Sequence, residues 1–308
     1  MNKEPIIEVT DFRMVFDKNE VIKNLSFTVK KGEVFGLLGS NGSGKTTTIR
    51  TLLGLYQPTA GTLLINGQKF KPENSLKIGY LPEERGLYKK EKVGNIMRYF
   101  ASLKGLSGDA AEIAIQKYLK RVDLLDKINI RLDKLSSGQQ QKVQLGVTIL
   151  GQPDLLILDE PTKGFDPVNR KLLLDIVEQE RQRGATILMI THYMEEVERL
   201  CDRILLLKDG EAKAYGRVED IKDQAGTNRI KLIFNGRLAI KNAPFRVIST
   251  DKHSAELELK NDHQIDEVLR YLIDHKLEIR QYSVERPSLD EIFVKIYGTK
   301  LERGEQNV

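Results

Sequence analysis

Gly39-Ser40-Asn41-Gly42-Ser43-Gly44-Lys45-Thr46 follows the apolar run Val34-Phe35-Gly36-Leu37-Leu38 and precedes the helical-looking stretch Thr47-Thr48-Ile49-Arg50-Thr51-Leu52-Leu53. The loop reads GxxxxGKT, and its strand-before, helix-after setting is that of a phosphate-binding loop. Glycines let the backbone turn tightly enough to aim several N–H groups inward, and the helix that follows adds the positive end of its dipole. Lys45 would then reach the β- and γ-phosphates of a nucleotide, and the Thr46 hydroxyl would ligate Mg²⁺. A chance glycine-rich turn is the bland alternative, and the flanking strand and helix weigh against it.

Composition limits the rest. With 308 residues, 40% hydrophobic and 30% charged, the chain can bury a full core and has the length of about two domains. No apolar run approaches the ~18 residues of a membrane-spanning helix. Met1-Asn2-Lys3-Glu4-Pro5 lacks the basic-then-apolar pattern of a secretory signal, so the expected location is the cytosol. The single cysteine, Cys201, reads as a buried core thiol, and four histidines without clustered Cys/His spacing make no case for zinc. A formal charge of +5 is modest and falls short of the basic stripe of a dedicated nucleic-acid binder, so no nucleic-acid partner is expected.

Strand signals run from Ile6-Ile7-Glu8-Val9 to Leu25-Ser26-Phe27-Thr28-Val29, and again over Gly61–Gly67, where Asn66-Gly67 suggests a tight turn. From about Val93 the pattern turns helical, with Ile115, Tyr118, Leu119 and Val122 on one face. Leu155-Leu156-Ile157-Leu158 and Thr186-Ile187-Leu188-Met189-Ile190 are short continuous apolar runs, as parallel strands covered on both faces require. The style changes near Gln224–Asn228. Beyond it Ile230, Leu232 and Phe234, then Ala255, Leu257 and Leu259, alternate with polar residues. Two amphipathic helices are also expected there, the second opened by a Ser288/Glu291 capping box.

The strand Leu155–Leu158 ends in Asp159-Glu160, the layout of a Walker B motif: the first acid holds Mg²⁺ and the second can act as general base on a water. Leu135-Ser136-Ser137-Gly138-Gln139 precedes it and opens a helix expected over Gln140–Leu150. In this order the chain resembles the ATP-binding-cassette (ABC) family, whose signature LSGGQ lies between helical insert and Walker B; Ser137 stands in place of a glycine. The resemblance covers most of residues 6–221. It implies an α/β fold of the P-loop NTPase type: a mixed-sheet cassette over 1–225, with a β-rich subdomain and a helical insert at about 93–150. A small α+β accessory domain over 229–308 follows.

The resemblance also implies the site. Glu160 is the general base, with His192 of the switch pair Thr191-His192 and Lys45 beside it. Nucleotide contacts fall on Phe16 (stacking on adenine), on Gly39, Ser40, Asn41, Gly42, Ser43, Gly44, Lys45, Thr46 and Thr47, on the signature Ser136, Ser137, Gly138 and Gln139, and on Asp166 in Gly164-Phe165-Asp166-Pro167. The metal positions are Thr46, Asp159 and Glu83, where Glu83 replaces the family's usual glutamine. Residues 287–293 and 79–88 resemble a bacterial subgroup of sodium-extrusion and drug-export ATPases.

The implied function is an ATPase subunit, with ATP and Mg²⁺ as cofactors, that pairs with a second cassette around two nucleotides and powers an exporter. Its transmembrane permease is a separate chain, which makes the subunit peripheral on the inner face of the membrane. A soluble ABC ATPase acting on ribosomes or DNA is the alternative. Such proteins carry two cassettes or a very long coiled coil, and neither is seen here. A small-molecule kinase using the same loop does not account for LSSGQ and His192.

Overall fold

The computed structural model describes residues 4–84, 86–224, 229–259 and 265–298. The extreme termini, Arg85, the expected linker 225–228 and residues 299–308 of the accessory domain lie outside the described residues. The chain divides into two compact units, Met1–Arg217 and Val218–Val308.

The first unit begins with β1 (Pro5–Phe16), β2 (Asn19–Lys30), β3 (Val34–Leu38), α1 (Lys45–Leu52), β4 (Ala60–Ile65) and β5 (Ile78–Leu81). The helices α2 (Val93–Leu103), α3 (Gly108–Arg121) and α4 (Ser137–Ile149) follow, then β6 (Leu155–Asp159), α5 (Pro167–Gln182), β7 (Thr186–Ile190), α6 (Met194–Leu200), β8 (Arg203–Lys208) and β9 (Glu211–Arg217). Two sheets result. One is antiparallel, in the order β2-β1-β4, and Asn66 and Gly67 both take positive φ (51° and 73°) in the two-residue turn that closes after β4. The other has six strands in the order β5-β6-β7-β3-β8-β9, all parallel except β9 at the edge. Every residue of β3, β6 and β7 is buried, which is why these segments are apolar throughout instead of alternating.

Their order fixes the site. Leu37 and Asp159 both pair with Ile190, and Leu81 pairs with Leu158, so β5, β6, β7 and β3 end at one level. The residues that follow each strand therefore leave the same edge side by side: Pro82-Glu83, Glu160, Thr191-His192 and the glycine loop. Ligands of open α/β sheets bind at this carboxyl edge.

In α3, Ile115, Tyr118 and Leu119 are buried, as their spacing predicts, and so is Val122 just beyond. Cys201 is a buried free thiol, and burial pushes its ionisation well above the ordinary range. Helix α4 starts three residues before the expected Gln140, because Ser136 caps it.

The second unit holds α7 (Val218–Gln224), β10 (Arg229–Asn235), β11 (Phe245–Thr250), β12 (Ser254–Leu259), α8 (Ile265–Asp274), β13 (Glu278–Glu285) and α9 (Leu289–Tyr297). Its antiparallel sheet runs β11-β12-β10-β13. Ile230, Leu232, Phe234, Ala255, Leu257 and Leu259 form one apolar face, closed by Val268 and Leu272 of α8. Helix α7 belongs to this unit, tied to it by Arg286, which pairs with Glu219 and Asp223, so the unit begins at 218 and not beyond the linker. At α9 the Ser288 hydroxyl accepts from Glu291 N at 3.2 Å as a cap should, but the Glu291 carboxylate is bound by Arg229 at 2.5 Å. The reciprocal half of the expected capping box is replaced by that ion pair.

Candidate nucleotide site

The loop after β3 is shaped for close approach. A Cβ on Gly39 would stand 2.4 Å from Ser43 Oγ and 2.5 Å from the Leu207 carbonyl, and one on Gly44 would stand 2.3 Å from Ile22 Cδ1. Gly44 caps α1 with φ 107° and supplies no side chain, so the first N–H groups of that helix keep their donors for something else. Lys45 folds back over the loop, its Nζ donating to the carbonyls of Gly39 (2.8 Å) and Ser40 (3.0 Å). Burial lowers its pKa, while Glu160, Asp159 and Glu83, in that order, pull it back up. The Ser43 hydroxyl is buried and has no hydrogen-bond partner among the described residues. A cradle of backbone donors, one ammonium and a spare hydroxyl fits a polyphosphate.

Asp159 closes β6 and is only 4% exposed. Burial first, then the charges of Glu83 and Glu160, raise its pKa to about 6. Acid oxygens crowded in this way suit a divalent cation. Among the described residues, no group of three or more His, Cys, Asp or Glu is placed to hold a metal alone. A buried carboxylate together with a hydroxyl such as that of Thr46 would instead fit Mg²⁺ arriving with phosphates.

Glu160 sits at φ 48°, a left-handed conformation uncommon for a residue with a side chain, and its N–H donates to Ile190 O at 2.8 Å. Its carboxylate meets His192: Nδ1 lies 3.0 Å from Oε1, in hydrogen-bond geometry, and 2.9 Å from Oε2. Oε2 is out of line with that bond and has no hydrogen-bond partner among the described residues. Lys45, Asp159, Glu160, His192 and Glu83 thus form one electrostatic cluster. Glu83 is 42% exposed and paired with Lys163 Nζ at 2.6 Å. Its loop is tied to α4 by Gln144, whose Nε2 donates to the carbonyls of Glu84 (3.2 Å) and Pro82 (3.4 Å).

The remaining sequence-predicted residues lie elsewhere. Phe16, at the end of β1, is 40% exposed and meets Tyr56 edge-to-face at 5.3 Å, whereas Phe12 is fully buried core. Thr47 is half-buried in the first turn of α1. Ser136 Oγ accepts from Gln139 N (3.3 Å) while Gln139 Oε1 accepts from Ser136 N (3.0 Å), a complete capping box. Ser137 is exposed at the start of α4, and Phe165 packs against Gly138, bringing the signature beside the Gly164–Pro167 loop. Asp166 caps α5: its Oδ1 accepts from Val168 N (3.0 Å) and Asn169 N (2.9 Å), and these bonds hold its pKa down. Lys163, Gln144 and the Ser136/Gln139 box were not found from the sequence. The last was legible, since Ser136 and Gln139 have the spacing that marks Ser288 and Glu291.

Comparison with known proteins gives the family. Residues 22–163 match the family described as ABC transporter, and residues 216–297 match one described as the C-terminal domain of DrrA1-3-like ATP-binding proteins. An uncharacterized ABC transporter ATP-binding protein of Methanocaldococcus jannaschii is 39% identical over 275 residues, which are 89% of this chain and 97% of that one. The chain belongs to the ABC transporter ATP-binding protein family. The linearmycin resistance ATP-binding protein of Bacillus subtilis is 31% identical over 309 residues, 96% of this chain and 99% of its own. A solved ATP-binding subunit of an ABC transporter superposes with a TM-score of 0.67 at 32% identity, covering 71% of this chain and 92% of that one. The ABC cassette is accordingly an ATP-binding, ATP-hydrolysing subunit that works with a separate transmembrane partner. Among the described residues, no helix is long and apolar enough to cross a membrane.

Proposed function

We propose that the chain is the ATPase of an exporter, and that its catalytic cluster is the row of residues at the ends of β5, β6, β7 and β3. The observation that carries this is the Glu160–His192 hydrogen bond beside Asp159 and Lys45. Gly39 to Thr47 cradle the phosphates, Lys45 exchanging its bonds to the loop carbonyls for phosphate oxygens, and Phe16 offers its exposed face to adenine. Thr46 and Asp159 would hold Mg²⁺, with Glu83 at the rim. When bound, the ion would neutralise phosphate charge and so ease attack on the γ-phosphate. Glu160 accepts the proton of the attacking water on its carboxylate. His192 holds that carboxylate through Nδ1.

Ser136, Ser137, Gly138 and Gln139 present the exposed N-terminus of α4 to the nucleotide of a second cassette, and Asp166 shapes the adjoining loop. The working unit is a dimer of cassettes on the inner face of the membrane, bound to its permease and to no nucleic acid. The relation to a drug-resistance ATP-binding protein supports export. Expression with affinity-tagged chain tests the placement: it should co-purify with the membrane fraction and a multi-span protein, and recovery with ribosomes or DNA would refute it.

A further inference from the structure

Glu196, in α6, is 2% exposed and takes no part in the site described above. A buried carboxylate is costly unless its oxygens are occupied, and an apolar residue could fill such a place as well or better. What occupies these oxygens is informative. Oε1 accepts from Thr162 Oγ1 at 2.6 Å and faces Arg170 Nε at 3.6 Å, while Oε2 accepts from Thr191 Oγ1 at 3.3 Å. Thr162 lies two residues beyond the general base, and Arg170 lies in the first turn of α5, past the Gly164–Pro167 loop. Thr191 immediately precedes His192.

Two further contacts close the circuit. Thr191 Oγ1 accepts from Tyr193 N at 3.1 Å, fixing the backbone on the far side of His192. The Tyr193 ring stands 4.2 Å from the His192 ring, and the Arg170 guanidinium lies over the Tyr193 ring at 4.2 Å from its centroid. Glu196 therefore joins the loop after β6 to the loop after β7, and Arg170 touches both the carboxylate and the aromatic ring beside the histidine.

We propose that Glu196 is a positioning residue that holds Thr191, and through it His192, in register with the Thr162–Asp166 loop and α5. Movement of that loop is thereby transmitted to the Glu160–His192 contact. The inference rests on the assignment of His192 and Glu160 given under Proposed function. Its signature is kinetic: Glu196 acts only through His192, so the two must be coupled.

The test is a double-mutant cycle on the full chain, with single-turnover hydrolysis of radiolabelled Mg-ATP and separate measurement of ATP binding. Glu196→Ala should slow hydrolysis about tenfold or more while changing ATP affinity less than about twofold, the pattern of an interaction made in the transition state. In the His192→Ala background the same substitution should cost nothing further. If Glu196→Ala does not fold, Glu196→Gln and Thr191→Val carry the same cycle, since both keep side-chain volume. Losses that multiply in the double variant would overturn the inference while leaving the site intact. Wild-type hydrolysis in His192→Ala alone would overturn both.

Discussion

Asp159→Asn should stabilise the protein when metal and nucleotide are absent. The carboxyl is held at about 6 in the fold against 3.8 in an ordinary setting, with burial the largest cause and Glu83 and Glu160 next. Because the folded value is the higher one, the folded chain binds the proton more readily than the unfolded chain. The group's penalty is thus complete above about pH 6, shrinks as the pH falls, and disappears below the unfolded value. At about 1.4 kcal/mol per tenfold in proton affinity, keeping Asp159 ionised costs the fold about 3 kcal/mol near pH 7.5 and about 1.6 kcal/mol near pH 5. These figures already include the attraction of Lys45, which opposes the shift. Asparagine keeps the size and removes the charge. At about 2–4 °C per kcal/mol for a domain of this length, melting in EDTA should rise by roughly 6–12 °C near pH 7.5 and by about half that near pH 5. Calorimetry of both proteins at the two pH values gives the comparison. No gain, or a gain equal at both, would refute the claim that crowded negative charge stresses this site.

Lys45→Ala should remove the response to nucleotide: ATP at about 100 times Kd adds roughly 2.7 kcal/mol to a fold that alone binds it, and a variant melting curve that shifts as far as wild type would exclude the loop as the binding element. Glu83→Gln should raise the Mg²⁺ concentration needed for half-maximal hydrolysis about tenfold or more, since a unit charge near a divalent ion contributes a few kcal/mol at an effective dielectric near 20, of which an exposed carboxylate realises part. ATP affinity should change little, and an unchanged Mg²⁺ titration would confine Glu83 to its pair with Lys163.

The parallel strands β3, β6 and β7 were legible because burial on both faces leaves an unbroken apolar run, as in Leu155–Leu158, and the glycine loop because its backbone geometry tolerates few other residues; β5 and β8, parallel in the same sheet, were not read as strands. Residues at strand ends could be placed once strand order was known, and the sequence does not state that order; β6, β7 and β3 become neighbours only through tertiary pairing. The same limit hid the long-range polar contacts. Lys163 meets Glu83 from 80 residues away, and Glu196 binds Thr162 across 34. At α9 a local rule was overridden: the Glu291 carboxylate serves the Arg229 guanidinium, 62 residues distant, an ion pair between two full charges, in place of a backbone N–H. The strand Glu278–Glu285 escaped notice since Ile279 and Val284 fall on opposite registers of an otherwise polar segment.

The role of Glu160 bears most directly on the whole scheme. ATP hydrolysis and ATP binding by wild type and Glu160→Gln should be measured side by side in saturating Mg²⁺, with size-exclusion chromatography of each ATP complex. Loss of the general base should slow hydrolysis by about 10² or more while binding persists, and the variant should accumulate as an ATP-bound dimer. Near wild-type hydrolysis by a protein that stays monomeric with ATP would contradict it.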